Sequence, residues 1–448
     1  MADICVLGLG YVGLPMASLL ANAGFRVLGV DVDQRTVRAL QSGVTRLTEA
    51  GLATLAAAAV NSGNLKSARA PEPSETFILC VPTPLTARNA GVSPAGVEAG
   101  GTPAVHKSVD LSAVEAASRT VVPCLRKGNL VILESTVPIG ATRHIVGGIL
   151  QAAGFEPGRD VHLCYCPERV LPGNTVAELI GNDRVIGGVT AACGRRAARV
   201  YERFCQGRIT LTDDRTAEMC KLMENTCRDV NIALANSFAR IAEEAGVNVW
   251  EALSLANLHP RVKILKPGPG AGGHCIPVDP WFLADAYPQH AALLRTAREI
   301  NDTQPAHMLQ RLQATGLLKS GSKLVVLGAA YKGDVDDARE SAAVLLCRAA
   351  AAQGLETSVH DPLVSVGMHD GVEVGNDLAA CLSGAAAAVL LTEHKFYREV
   401  PVPVFAEKMR GRLIGDTRNC LDHHALRQAG FTVVLLGDGR TLEAADGR

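Results

Sequence analysis

Short apolar runs alternate with longer segments in which apolar residues recur every three or four positions, and this strand-then-helix rhythm occurs in two stretches separated by a helical middle. Residues 4 to 13 read ICVLGLGYVG, an apolar strand entering glycines; a helix is expected from Pro15 to Ala23, stopped by Gly24, and a second strand, FRVLGVD, ends on Asp31. TFILCVPTP (76–84) and NLVILEST (129–136) are continuously apolar and bounded by turn residues, as strands buried on both faces of a parallel sheet should be. From Val161 to Gly188 the pattern predicts a strand, VHLCYCPERV, then LPGN and a second apolar stretch, DRVIGG. Asp213 to Gly246 is the longest helical pattern, about thirty residues without proline or glycine and so roughly 50 Å long. A shorter helix, Val249 to Ala256, precedes HPR (259–261) and the loop KPGPGAGGHCIPVDPW (266–281); RTAREIND (295–302) and a further helix follow. The rhythm then restarts: SKLVVLGAAYKG (322–333), a helix from Ser341 to Gly354, LETSVHDP (355–362), AAAAVLLTEH (385–394) and GRLIGDTRN (411–419). Thr86 to Lys107, rich in Gly, Ala and Pro, is expected to be a flexible surface loop.

At 448 residues the chain exceeds a single hydrophobic core. Its 44 basic and 45 acidic residues include no lysine- or arginine-rich run, which argues against a nucleic-acid or membrane-surface footprint. No apolar run reaches a bilayer span, and MADICVLGLG reads as a first strand, not a leader. Thirteen scattered cysteines without a small disulfide framework point to the reducing cytoplasm. Cys164 and Cys166 alternate in strand-like fashion and nothing completes a zinc set, so no metal is expected.

The first turn changes the picture most. Gly8, Gly10 and Gly13 have G-x-G-x-x-G spacing, which serves a tight turn, close approach of backbone to a pyrophosphate, and packing of a helix whose amides bind the phosphates. Asp31, at the end of the second strand, is placed to accept from an adenosine ribose and to repel a 2′-phosphate, so NAD is expected over NADP. Thr83 and Ser135-Thr136 end strands at the carboxyl edge, where open α/β sheets bind ligands. Arg169 follows Pro167-Glu168 as a ligand for a phosphate or sugar, or as an exposed strand-end arginine. Lys221, Asn225 and Arg228 share one helical face; their apolar neighbours on the same helix suggest that they line an interior site. The second α/β stretch lacks the glycine spacing, but Lys332 and Arg339 offer charge to a nucleotide's phosphates. In the 266–281 loop, four glycines and four prolines surround Cys275, Gly272-Gly273 lets a ligand approach, and Asp279 follows four residues on; Cys275 is therefore the candidate covalent nucleophile. The fold expected is α/β, two doubly wound Rossmann-like domains joined by a long central helix and a helical middle region.

The stretches GLGYVGLP, CVPTP, ESTVPIGAT, CPERVLPGN, TAEMCKLMEN, PGPGAGGHCIPVDPW and AAYKGDVDDARES span nearly the whole chain. In these it resembles the UDP-glucose/GDP-mannose dehydrogenase family, and PERVLPG, the 216–236 helix and HPRV are most similar to its UDP-N-acetyl-D-mannosamine dehydrogenase branch. The resemblance implies an NAD-binding domain over 1–207, a central dimerisation region with the cysteine loop over 208–318, and a UDP-binding domain over 319–448. It implies a four-electron oxidation of a UDP-sugar C6 hydroxyl to a carboxylate, through a thiohemiacetal and thioester on Cys275. Lys221 and Asn225 would stabilise the oxyanions, and Asp279 would pair with Lys221 and order a water. Family match puts Arg169, Val170, Lys221, Asn225, Arg228, His259, Arg261, Gly272, Tyr331 and Lys332 on substrate positions. It puts Gly8, Gly10, Val12, Gly13, Asp31, Thr83, Thr136, Arg339 and Arg418 on NAD positions. It further implies a homodimer through the central helix in which Arg261 serves the neighbouring chain's substrate. Departures are Pro172, where some members carry glutamate, and Arg418, where lysine is common. UDP-N-acetylglucosamine or another UDP-hexose is the alternative substrate; a dehydrogenase that stops after two electrons and a catalytically silent sensor of NAD or nucleotide sugars are the rival readings.

Overall fold

The computed structural model describes residues 2–47, 49–87, 107–170 and 173–440. The chain divides into two compact units, Met1–Glu224 with Trp281–Ala286 and Asn225–Pro280 with Tyr287–Arg448. The first holds strands β1 (Ala2–Leu7), β2 (Val27–Val30), β3 (Leu65–Ala68), β4 (Ser74–Leu79), β5 (Leu85–Ala87), β6 (Lys107–Val109), β7 (Leu130–Leu133), β8 (His162–Tyr165), β9 (Arg184–Gly188) and β10 (Ile209–Asp213). Eight of them form a sheet in the order β10-β9-β8-β7-β4-β1-β2-β3, parallel apart from the β8–β9 pair, while β5 and β6 form a separate antiparallel pair. That pair lies at the two ends of the stretch expected to be a flexible loop; residues 88–106, like Pro172, lie outside the described residues.

The sheet explains its own sequence. Ile4, Val6, Ile78, Leu130 and Ile132 face one helical layer; Cys5, Leu7, Phe77, Leu79, Val131 and Leu133 face the other. With both faces covered, alternation disappears and each strand reads as an unbroken apolar run; each fully buried Leu, Ile or Val contributes about 1.5–3 kcal/mol. β8 ends at Tyr165, short of the expected VHLCYCPERV strand, and Pro167, without an N–H, cannot extend the ladder.

The second unit repeats the plan with β11 (Lys323–Leu327), β12 (Glu356–His360), β13 (Gly367–His369), β14 (Val372–Gly375), β15 (Ala387–Leu390), β16 (Leu413–Asp416) and β17 (Thr432–Leu435), in the order β13-β14-β12-β11-β15-β16-β17. Leu324, Val326 and Val389 pack on one face, Val325, Leu327, Ala388 and Leu390 on the other. Among the described residues the fold is thus mixed α/β with two Rossmann-like sheets and a helical middle, as the sequence pattern predicts.

The central helix, Asp214–Glu244, starts where the Asp213 carboxylate accepts from the Thr216 amide at 3.0 Å and ends before Gly246, whose φ of 66° is the left-handed conformation glycine adopts freely. Its apolar residues are not all interior. Met219, Met223, Leu234, Phe238 and Ile241 are exposed in the single chain, Ile241 by 60%. The three polar residues expected on one face also part company: Lys221 is buried, Asn225 half-buried and Arg228 exposed. Beyond it, RTAREIND lies inside one continuous helix, Ala292–Ala314, that contains Pro305.

Candidate functional site

In the first unit, chain order reverses between β1 and β4, so the turns after these two strands flank a crevice at the carboxyl edge. Gly8 has a φ of 90°, and a Cβ there would lie 2.4 Å from the Cys80 carbonyl oxygen. A Cβ at Gly13 would lie 1.8 Å from the Gly8 carbonyl oxygen, so the turn closes on the helix only if both residues are glycine. At Gly10 a Cβ would meet nothing within 4 Å. The space beside Gly10 is therefore open and exposed. The helix Gly13–Asn22 begins at Val12 with no side-chain cap; of its first amides, that of Leu14 donates to the Gly10 carbonyl at 3.1 Å and Pro15 has none. Asp31, half-buried, accepts from the Leu9 amide at 2.8 Å and the Asp33 amide at 2.8 Å, one on each oxygen. Each oxygen keeps a second lone pair for a ribose hydroxyl. These residues fit NAD.

Beneath the turn lies a buried network that sequence reasoning missed. Glu134 accepts from the Tyr201 hydroxyl at 2.6 Å and the Cys80 thiol at 3.2 Å, with the Arg184 guanidinium at 3.9 Å. Burial pushes its carboxyl up, and Arg184 and Tyr201 oppose that. Next to it the Ser135 hydroxyl donates to the Val81 carbonyl at 2.7 Å, tying together the segments that carry Thr83 and Thr136, both half-buried. Glu218, buried on the central helix, accepts from the Gly140 and Thr142 amides and holds the turn after Thr136. The only signal for either acid was a lone carboxylate among apolar neighbours. Arg169 is ion-paired with Glu224 at 2.6 Å, Lys221 donates from Nζ to the Glu168 carbonyl at 2.8 Å, and the Val170 amide donates to the Glu168 carboxylate.

In the second unit, order reverses between β11 and β15. Here Asp361 takes the position that Asp31 holds in the first, but its carboxylate is consumed internally. It accepts from the Ala329 and Ala330 amides at 2.8 Å each, from Leu363 and Val364 at 2.9 Å each, and from His394 Nε2 at 3.1 Å. Burial works against its charge, and these donors nevertheless hold it at about 2. Asp361 thus keeps no lone pair of the kind that Asp31 offers a ribose hydroxyl. A Cβ at Gly328 would lie 2.3 Å from Thr392 Cβ, a close approach like that of Gly8 to the Cys80 carbonyl.

A small recess remains at this edge, lined by Gly270, Gly272, Tyr331, Ser341, Thr392 and Arg418 among others. It joins the cysteine loop to the second sheet. Tyr331 fills the space that Gly272 and Gly273 provide: Cβ atoms there would lie 2.8 and 3.1 Å from its side chain. The expected close approach at these glycines is thus made by a side chain of this protein. Gly270 has a φ of 109°, and its Cβ would lie 2.4 Å from the Asn301 carbonyl oxygen, the oxygen to which Pro305, lacking an N–H, cannot donate. Asn301 also reaches the Asp229 carboxylate at 2.8 Å and Asn236 at 3.0 Å, and Asn236 accepts from the Gly268 amide at 2.9 Å. This amide chain, also missed from sequence, anchors the loop to the central helix. Arg418 donates from Nε to the Leu391 carbonyl at 2.9 Å, with Nη1 against Gly268.

Cys275, half-buried, accepts at its carbonyl from the Val278 and Asp279 amides at 3.1 and 2.8 Å. Asp279 is 2% exposed and accepts from Asn225 Nδ2 at 2.5 Å, so the structure brings those two predicted residues together. His274 and Arg339 both meet the Asp337 carboxylate, at 3.4 and 2.7 Å. His259, Arg261, Arg228 and Lys332 are exposed, with the Arg261 amide donating to His259 Nδ1 at 3.3 Å. Among the described residues no helix is long and apolar enough to cross a membrane, and no cluster of His, Cys, Asp or Glu could hold a metal ion.

Comparison with known proteins agrees along the whole length. Models of the UDP-glucose/GDP-mannose dehydrogenase family match as its NAD binding domain over residues 2–205, its central domain over 215–303 and its UDP binding domain over 325–423. The chain is 44% identical over 440 residues to a UDP-N-acetyl-D-mannosamine dehydrogenase of Methanocaldococcus jannaschii, covering 98% of this chain and 97% of that one. It is 43% identical over 425 residues to an NDP-N-acetyl-D-galactosaminuronic acid dehydrogenase of Ralstonia nicotianae, covering 93% and 95%. A solved UDP-D-ManNAc dehydrogenase from Pyrococcus horikoshii superposes with a TM-score of 0.87 at 38% identity, covering 98% and 99%. With a glycine turn shaped for NAD, a second Rossmann sheet whose Asp361 is bonded internally, and this agreement from end to end, the chain belongs to the UDP-glucose/GDP-mannose dehydrogenase family and is an NAD-dependent nucleotide-sugar dehydrogenase.

Proposed function

We propose that the protein oxidises the C6 hydroxyl of UDP-N-acetyl-D-mannosamine to the carboxylate, with 1–207 holding NAD, 208–318 carrying the cysteine loop and 319–448 holding UDP. The observation that carries the choice of sugar is the 44% identity, over nearly the full length, to a relative of that name. The Ralstonia relative, at 43%, supports a second reading with an N-acetyl-galactosamine sugar.

NAD, held by Gly8, Gly10, Val12, Gly13, Asp31, Thr83, Thr136, Arg339 and Arg418, supplies a hydride acceptor at C6 when bound. Loss of a proton and a hydride takes the alcohol to an aldehyde, which has no good hydride to give until a nucleophile makes it tetrahedral. The Cys275 thiolate attacks C6, a C–S bond forms, and the carbonyl electron pair moves to oxygen, giving a thiohemiacetal. Lys221 and Asn225 stabilise that oxyanion from one face of the central helix, and Lys221 takes part in the proton transfer. A second hydride loss leaves a thioester; water adds, the C–S bond breaks, the thiolate departs and the acid loses its proton. Asp279, paired with Lys221, orders that water. Arg169, Val170, Arg228, His259, Gly272, Tyr331 and Lys332 hold the nucleotide sugar. Thirteen cysteines without a disulfide framework support a cytoplasmic setting. NADH counting over UDP-ManNAc, UDP-GlcNAc, UDP-GalNAc, UDP-glucose and GDP-mannose tests the reading. UDP-ManNAc should show the highest kcat/KM and two NADH per sugar. A ratio of one removes the thioester route, and a better sugar removes the substrate.

The exposed stripe Met219, Met223, Leu234, Phe238 and Ile241, with Leu255 and Leu258 before His259, supports a homodimer through the central helix. In that dimer Arg261 grips the sugar beside the neighbouring chain's Cys275. Cys275→Ala and Arg261→Ala are then each inactive as homodimers. Mixing and reassembling them should restore activity, because one site of each heterodimer carries neither defect. Verified heterodimers without activity would place Arg261 in its own chain's site.

A further inference from the structure

The second sheet's aspartate is tied to a histidine to which neither the sequence pattern nor the family resemblance gives a role. His394, fully buried, follows β15 at the carboxyl edge, and its two ring nitrogens meet different segments. Nε2 lies 3.1 Å from the Asp361 carboxylate, and Nδ1 accepts from the Asp334 amide at 2.9 Å. An amide N–H can only donate, so Nδ1 carries a lone pair and the proton sits on Nε2, which gives it to Asp361. The Asp334 carboxylate, 3.9 Å from Nδ1, is too far to bond to it. It turns instead to the next residue and accepts from the Lys395 amide at 3.0 Å. The two segments thus grip each other twice, through a ring nitrogen on one amide and a carboxylate on the other. Asp334 is held there with a φ of 60°, in the left-handed region, and a Cβ at Gly333 would lie 2.8 Å from the Glu393 carbonyl oxygen.

Tyr331 and Lys332 lie between this grip and a second one. The Ala329 and Ala330 amides donate to the same Asp361 oxygen that His394 meets, and the Ala330 carbonyl accepts from the Thr392 hydroxyl at 2.5 Å. One carboxylate oxygen therefore fixes the segment at both ends, directly before Tyr331 and through the His394 ring after Lys332. We propose that His394 is the positioning residue of the nucleotide site: by clamping Asp334 it sets Tyr331 and Lys332 for UDP. This rests on the reading that 319–448 holds UDP with those two residues. Asp361 then serves by ordering a binding segment, where Asp31 offers its own oxygens.

Titration calorimetry with UDP, and initial rates with the best substrate of the sugar panel, test it. Glutamine can place its amide where Nε2 stands, and asparagine its oxygen where Nδ1 stands. His394→Gln keeps the link to Asp361 and loses the Asp334 amide; it should weaken UDP binding and raise KM for the nucleotide sugar by about tenfold, with kcat and NAD affinity unchanged. His394→Asn, whose oxygen can still accept from the Asp334 amide, should recover most of that loss. Lys395→Pro reaches the clamp from the surface. It removes the amide that bonds to the Asp334 carboxylate, at the first position of the helix Lys395–Glu399, and His394 ahead of it already has the extended ψ of 143° that a following proline demands. This variant should fold and weaken UDP binding by about threefold or more. Lys395→Ala keeps the amide and loses only an exposed ammonium 4.0 Å from Asp334, so it should bind as wild type does. Should His394→Gln not fold, the two Lys395 variants decide alone. UDP affinity unmoved in Lys395→Pro and in every folded His394 variant overturns the proposal, as does equal weakening by glutamine and asparagine, which a merely packing role would give. Lys332→Ala separates the failures. If it binds UDP like wild type, the reading of the segment itself sinks; if it binds weakly beside unchanged His394 and Lys395 variants, only the positioning by His394 does.

Discussion

Cys275→Ser should lower formation of the acid by on the order of a thousandfold or more while leaving NAD binding unchanged. A thiol ionises far more readily than a serine hydroxyl, and its thiolate is intrinsically much more nucleophilic. The surrounding structure should survive, because the loop is held by backbone: the Val278 and Asp279 amides bond to the residue-275 carbonyl, and Asn236 and Asn301 grip the segment before it. The variant therefore separates chemistry from folding. It is checked by acid production and by NAD titration on the same preparation, and near wild-type acid formation would end the covalent reading.

Gly13→Ala should lower the stability of the first unit by about 3 kcal/mol and abolish measurable NAD binding, because the new methyl would sit 1.8 Å from the Gly8 carbonyl oxygen and neither backbone can yield without opening the turn. Gly10→Ala supplies the contrast. Its methyl meets no protein atom within 4 Å, so thermal unfolding should stay at the wild-type temperature while NAD affinity falls by about tenfold or more. The two glycines are identical in the motif and differ in what they face, protein at 13 and cofactor at 10. Melting curves and NAD titrations of both variants decide it: a Gly13→Ala protein with wild-type melting and affinity, or a Gly10→Ala protein that unfolds early, would contradict the arrangement.

Much of this protein is local information. An apolar run bounded by glycines, Asp31 at the end of the next strand, a thirty-residue stretch free of proline and glycine, and a cysteine among turn residues can all be read off the chain, since each depends on periods of two or 3.6 residues or on special backbone angles. The sequence by itself thus determined the two α/β stretches, the cofactor turn and the cysteine loop. It could not tell that Asp361, outwardly the twin of Asp31, is saturated by four amides and His394, because those donors come from three separate segments. Nor could it separate Lys221 from Arg228, one buried and one exposed at positions equivalent on a helical wheel, or foresee that Tyr331 occupies the space opened by Gly272 and Gly273. Asn301 and Asn236, which lash the cysteine loop to the central helix, lie 65 residues apart and show as nothing but amides in helical segments. Burial, charge compensation and close approach are set by which distant segments meet, so only the tertiary structure decided them.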